Sequence, residues 1–265
     1  MKTSIGRTLM HLLLVLFILV LIPGCNDVSG APTIPPAETF VIPVEDLPNN
    51  EANGAGNHSN WDHAALTVLI WGGVVVATLA VPVAAFCASF QHTPVQQPDG
   101  SWIWSYSVMV GGSLYSAELH GQFITEGVHW DMSISKEGEY EDFLWYYGEH
   151  NLPATEGFWI LKKSQDDQTD FIQIDWSRNI SPVTYNITYT NIEPGGQYNG
   201  YYINVQYTED APYDYSCDIY DKVEGNHTYI DYSSSTGEGR VKDFKRFGDN
   251  DWHCWGSDRM NVDCT

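Results

Sequence analysis

The C-terminal stretch holds the densest set of groups that could do chemistry. Asp249, Asp251 and His253 recur at alternate positions, Cys254 follows at once, and Cys264 comes one residue before the end. Carboxylates and an imidazole at this spacing could ligate a cation. The stretch lacks the glycine and the distal glutamate of a calcium loop. A zinc site on His253 and Cys254 would need adjacent residues to point the same way, which an extended strand forbids. The chain has no Gly-x-Ser-x-Gly elbow, His-Glu-x-x-His helix, phosphate loop or dinucleotide fingerprint. With 34 acidic residues, some pair will always suit a glycosidase, so a pair carries no weight. His120, His129, His150, His227 and His253 are scattered among strand and turn signals and read as polar strand or surface residues. The sequence therefore predicts no catalytic residue, no metal and no cofactor.

A second kind of chemistry starts at the other end. Lys2 and Arg7 precede an apolar run from Leu9 to Leu21 that only His11 interrupts, and Leu21-Ile22-Pro23-Gly24-Cys25 closes it. A positive segment followed by a hydrophobic core is a signal-peptide pattern. Thirteen helical residues would reach only about 20 Å, short of a bilayer core. The closing pattern resembles the lipobox of bacterial lipoproteins, with an aliphatic residue three before the cysteine and a small one just before it. Pro23 is an uncommon choice at the middle position. The resemblance implies cleavage after Gly24, a diacylglycerol thioether on Cys25, and a fatty amide such as palmitate on its new amino group. Such a chain is membrane-anchored through lipid in the bacterial cell envelope, at the outer membrane, facing the periplasm or the surface.

Composition fits export. Without Lys2 and Arg7, 10 of the 12 basic residues remain against 34 acidic ones, a net charge near −24. That surface repels nucleic acid. With Cys25 lipidated, Cys87, Cys217, Cys254 and Cys264 remain, and four cysteines allow three pairings. The nine residues between Cys254 and Cys264 let a loop turn back, so that pair is expected to bridge. Cys87 falls in an apolar stretch and reads as a small buried hydrophobe. Residues 25–60 are rich in Pro, Asn and Gly and hold no Lys or Arg; they read as a lipidated cysteine followed by a flexible tether. Phe40-Val41-Ile42 is the piece of it best suited to packing on a domain.

The elements that must position all this follow. Ala64 to Phe90 carries no charge, with Asp62 as a plausible N-cap and Gly72, Gly73 and Pro82 inside. Its length suits a membrane span, but no Lys or Arg lies between Arg7 and Lys136 to set an orientation. A helix apolar all round also suits a protein core. From Trp102 on, hydrophobicity alternates, as in Trp102/Trp104/Tyr106, Trp130/Met132/Ile134, Phe143/Trp145/Tyr147, Phe158/Ile160, Ile172/Ile174/Trp176 and Tyr185/Ile187/Tyr189. Glycine-containing turn signals separate the runs. The expected fold is mainly β: one domain, 61–265, with a curved antiparallel meander or barrel of about ten or eleven strands packed on one hydrophobic N-terminal helix. Helix and sheet each need cover, so the helix should fill the concave face and leave no lipocalin-like cavity.

At Gly239-Arg240-Val241-Lys242 and His253-Cys254-Trp255 the chain resembles a family of uncharacterised bacterial lipoproteins. The resemblance also takes in the lipobox, Val81-Pro82-Val83-Ala84-Ala85-Phe86 and the aromatic strands. It implies the helix-and-sheet architecture and brings no activity. The first expectation for function is a non-catalytic envelope scaffold or interaction module, with its protein or glycan partner open. The alternatives are a lipoprotein that binds carbohydrate or an apolar ligand, and an envelope hydrolase. Tyr146, Trp159, Tyr201 and Trp255 fall out of phase with the expected buried set, so they are the expected ligand contacts on an outer aromatic face.

Overall fold

A computed structural model describes residues 30–40, 56–209 and 212–264, apart from the side chains of 71–78. Cys25, the signal-peptide pattern and residues 41–55 lie outside the described residues. The described residues from Pro32 onward belong to one compact unit.

Helix α1 (Ser59–Ser89) is followed by fourteen strands. These are β1 (Val95–Gln96), β2 (Trp102–Val110), β3 (Ser113–Ile124), β4 (Gly127–Lys136), β5 (Tyr140–Asn151), β6 (Glu156–Lys162) and β7 (Asp170–Ile180). The second half holds β8 (Val183–Asn191), β9 (Tyr202–Tyr207), β10 (Tyr215–Asp221), β11 (Asn226–Tyr232), β12 (Gly239–Asp243), β13 (His253–Trp255) and β14 (Asn261–Val262). Each strand pairs antiparallel with its neighbours in sequence, so the sheet is one open meander whose edges are β1 and β14. Both edge strands are two residues long, which limits edge-to-edge association. The count exceeds ten or eleven because β1, β13 and β14 are too short for period-two alternation to register. A four-residue helix, α2 (Phe244–Phe247), links β12 to β13, capped by Asp243, whose carboxylate accepts from the Lys245 and Arg246 amides.

Helix α1 touches β2 and β3 near one edge of the sheet and β12 to β14 near the other. One helix can reach both only if the sheet curls around it, so the face toward α1 is concave. Trp61, Ala64, Val68, Leu79, Ala85 and Phe86 are buried, a stripe at helical spacing. Asn60 Nδ2 donates to the Cys254 carbonyl, and its amide to Asn261 Oδ1. His63 Nε2 meets Asp243 Oδ2 at 2.8 Å, and Tyr106 OH donates to the Ala85 carbonyl at 2.6 Å. Among the described residues, no helix is long and apolar enough to cross a membrane.

The core includes a piece the composition assigned to a loose tether. Pro32, Pro35, Thr39 and Phe40 are buried. The Phe40 ring stacks on Phe86 at 5.1 Å and lies 4.8 Å from Tyr146 and 5.7 Å from Trp159. Tyr189 OH donates to the Phe40 carbonyl at 3.0 Å. The flexible-tether expectation therefore fails for residues 32–40. Prolines restrict the backbone in the unfolded chain too, so ordering them costs less entropy, and one buried phenyl ring offsets much of it.

Four glycines set how the concave face packs. A methyl group added at Gly121 would lie 2.6 Å from Trp130 Cζ3, at Gly148 2.5 Å from Trp159 Cε3, and at Gly157 2.7 Å from Trp176 Cζ2. Gly239 lies under Trp255 in the same way. Each tryptophan faces its glycine across a strand pair. The indoles thus lie over the sheet, where a Cβ would lift them.

Candidate functional site

Tyr146, Trp159, Tyr201 and Trp255 are all buried, so none forms an outer ligand-contact face. Two local events reverse the expected phase at Tyr146 and Trp159. In β5, Met132 pairs with Tyr146 and Ser133 with Leu144, so Trp145 is an extra, bulged residue. Such a bulge flips the side-chain alternation, and Tyr146 rather than Tyr147 turns inward. In β6 every residue from Gly157 to Leu161 is apolar or glycine; Trp159 and Leu161 are buried, whereas Phe158 and Ile160 are half-exposed. Tyr201 precedes β9 and packs on Tyr198, its hydroxyl accepting from the Val223 amide. Trp255 Nε1 donates to the Gly237 carbonyl.

The aromatic surface that does exist lies on the convex face of β9 to β12. Ile203, Ile219, Ile230 and Val241 are buried on the concave side. Alternation then puts Tyr202, Tyr220, Tyr229 and Lys242 outside. Tyr202 lies 5.4 Å from Tyr220, and Tyr220 4.5 Å from His227. His227 stacks on Tyr229 at 5.3 Å with the planes 2° apart. The Lys242 ammonium sits 4.8 Å from the Tyr229 ring centre and 4.9 Å from that of Trp252. The Arg240 guanidinium follows, 4.2 Å from Trp252 and 4.9 Å from Tyr213. Rings and cations alternate here in a continuous half-exposed row.

Carboxylates on the same face fix this row. Asp218 Oδ2 accepts from Tyr202 OH at 2.8 Å, and its Oδ1 meets His227 Nδ1 at 2.8 Å. Asp231 accepts from Ser216 Oγ at 2.8 Å and from Arg240 Nε at 2.7 Å. Burial first, then the Asp218 carboxylate, pushes the Tyr202 and Tyr229 phenols up, so both remain neutral at physiological pH. Beside the row, Asn204 Nδ2 donates to Asn186 Oδ1 at 2.6 Å and to Thr188 Oγ1 at 2.7 Å, and Gln206 Nε2 donates to Asn204 Oδ1. This amide band runs into a shallow depression of about 290 Å³ whose lining includes Asn186, Gln206 and Ser216. The signal for this face in the sequence is the aliphatic phase of β9 to β12, Ile203, Ile219, Ile230 and Val241, rather than the aromatic residues themselves.

A second depression, about 420 Å³, lies on the convex face of β2 to β5 and is lined by Ile103, Glu118, His120, Asp131, Ser133 and Leu144. Beside it His129 bridges Asp131 at 3.3 Å and Glu149 at 3.2 Å. Among the described residues no group of three or more His, Cys, Asp or Glu is placed to hold a metal ion. At the C-terminus, Cys254 and Cys264 form a disulfide and His253 Nε2 meets Asp249 Oδ1 at 3.0 Å. Cys87 and Cys217 are free thiols; burial raises the pKa of both, that of Cys217 to about 12.

In comparisons with known proteins, no family model, no curated protein and no solved structure matches this chain.

Proposed function

We propose that the chain is a non-catalytic, lipid-anchored module of the bacterial cell envelope whose convex face binds a glycan chain. The observation that carries this reading is the row from Tyr202 to Trp252 with its cations and the neighbouring amide band. Sugar rings present apolar C–H faces and hydroxyl edges. Side chains that offer ring faces beside amide and carboxylate groups match both at once, and a half-exposed row on a stiff sheet is pre-organised for an extended ligand. The lipid anchor at Cys25 rests on the lipobox resemblance and would hold this face in the envelope, where glycans are abundant.

An apolar-ligand carrier has less support, because Phe40, Phe86, Tyr146 and Trp159 pack against one another on the concave side. The hydrolase reading also has little. Asp243 and Asp249, two carboxylates with lowered pKa that bond a histidine, cap α2 and stabilise a turn.

The test uses the full mature chain in pull-down from insoluble envelope glycan, with isolated peptidoglycan as the probe. Trp252→Ala and Tyr229→Ala should each weaken retention about tenfold, roughly 1.4 kcal/mol, while circular dichroism and thermal midpoint stay close to the parent. Retention of both variants at the parental level, or no retention of the parent, rules out a glycan platform here.

A further inference from the structure

In an antiparallel meander, alternate turns lie at the same end of the sheet. The turns β3–β4, β5–β6 and β7–β8 therefore share one rim. Each presents an exposed aliphatic residue: Ile124 is 40% exposed, Leu152 59%, and Ile180 and Val183 68% and 47%. Pro153 and Pro182 stand in the same turns, and the carboxylates there are Glu126 and Glu156. The turns at the opposite end of these strands are acidic: Glu137 and Glu139 between β4 and β5, Asp166 and Asp167 between β6 and β7, Glu193 between β8 and β9. On a protein with a net charge of −22, an aliphatic stretch of rim spanning three alternate turns is an exception.

The chain enters the sheet at this same rim. Pro32 Cγ lies against Gly121, three residues before the end of β3, and Thr33 reaches His150, one residue before the end of β5. From there the segment runs inward to Phe40. Cys25 precedes Pro32 by seven residues, and seven residues span at most about 25 Å in any conformation. An acyl group on Cys25 would therefore keep the β3–β5 part of this rim within about 25 Å of a membrane surface.

We propose that the rim formed by Ile124, Leu152, Ile180 and Val183 docks on the lipid bilayer. This inference rests on the lipid-anchor reading of Cys25. The other turns at this end carry Asp99, Glu209, Asp214, Glu238 and Asp258, so docking is confined to the β3–β8 arc; it would hold the acidic β4–β5, β6–β7 and β8–β9 turns away from lipid headgroups. Because the whole protein is acidic, the fitting surface is a zwitterionic one. A second aliphatic pair, Met109 and Leu114, is exposed on the β2–β3 hairpin at the opposite end and serves as the internal control.

The experiment uses the full lipidated protein in phosphatidylcholine vesicles, in a Cys87→Ser background. An environment-sensitive fluorophore is placed through Thr125→Cys at the aliphatic rim, or through Glu137→Cys at the acidic one. Lipids carrying nitroxide quenchers in their acyl chains should quench the first probe and leave the second unquenched. Leu152→Asp with Ile180→Asp should reduce the docked-to-undocked ratio at Thr125 at least about tenfold, and Met109→Asp with Leu114→Asp should leave it unchanged. Flotation with vesicles reports the anchor separately. Protein that fails to float refutes the anchor, and with it the basis of the docking. Protein that floats with an unquenched Thr125 probe refutes the docking alone. So does a rim that pairs two copies of the chain, seen when Leu152→Asp and Ile180→Asp abolish a dimer in light scattering without changing the quenching.

Discussion

On the concave face Trp130, Trp159, Trp176 and Trp255 each lie over a glycine of the adjacent strand, whereas on the convex face Tyr202, Tyr220, Tyr229 and Trp252 lie beside one another or beside a cation. The same residue types thus meet opposite neighbours on the two sides of one sheet. A large ring over a missing side chain is buried and holds the curl of the sheet against α1. A large ring next to Lys242 or Arg240 keeps part of its surface in water, because the cation cannot be buried without a partner. Concave aromatics should therefore govern stability, and convex aromatics should govern binding.

The strongest way to break this comparison is Phe86→Ala. Phe86 is fully buried, and its ring meets Phe40, Phe90, Tyr146 and Trp159. Removing it leaves a cavity where helix, sheet and N-terminal segment converge, an expected loss of about 3–5 kcal/mol in urea or guanidinium unfolding. Trp252→Ala on the convex face should lose about 1 kcal/mol or less in the same measurement. Similar losses at both positions would mean that the convex row is structural too.

A smaller effect is expected from Gly148→Ala. The new methyl would meet Trp159 Cε3 at 2.5 Å and the Phe158 carbonyl oxygen even closer. The carbonyl belongs to a paired strand and cannot yield freely, so the destabilisation should be about 1–3 kcal/mol. Thr190→Ala, on the other face, should stay within about 0.5 kcal/mol. A neutral Gly148→Ala would show that Trp159 has room to tilt and that glycine is not required beneath it.

Much of the fold could be read from the chain, and the failures have local causes. Alternation placed Trp104, Tyr106, Trp130, Met132, Ile134, Ile174, Ile187 and Ile230 on the buried side, and each is buried. The disulfide Cys254–Cys264 followed from loop length and is formed. The phase breaks where period two is ambiguous, at the Trp145 bulge and in the all-apolar β6, which turns Tyr146 and Trp159 inward; Tyr201 and Trp255 lie beside or within elements too short to set a phase, and both are buried. Composition concealed the packing of 32–40, because a single phenylalanine inside a proline-rich stretch leaves no periodic trace. The aliphatic rim was equally hidden. Ile124, Leu152 and Ile180 are far apart in sequence and meet only because alternate turns of a meander share an end.

The smallest effect concerns pH and lies on the concave face, at His150. His150 is buried beside Trp130 and Trp176, at ring distances of 5.9 and 6.3 Å. Its Nδ1–H donates to the Asn151 carbonyl at 2.6 Å. Burial pushes its pKa below the ordinary 6.5. A histidine whose folded pKa is depressed contributes its stability above the unfolded value and loses it as pH falls through that value, because the unfolded chain takes the proton first. The wild-type unfolding midpoint should thus drop between about pH 7.5 and 5.5. Asp243 and Asp249, held below the usual 3.8, add acid losses only beneath that window. His150→Phe keeps a ring beside the indoles and removes the titration, so its midpoint should vary less with pH. An unchanged slope in His150→Phe would place the acid sensitivity elsewhere.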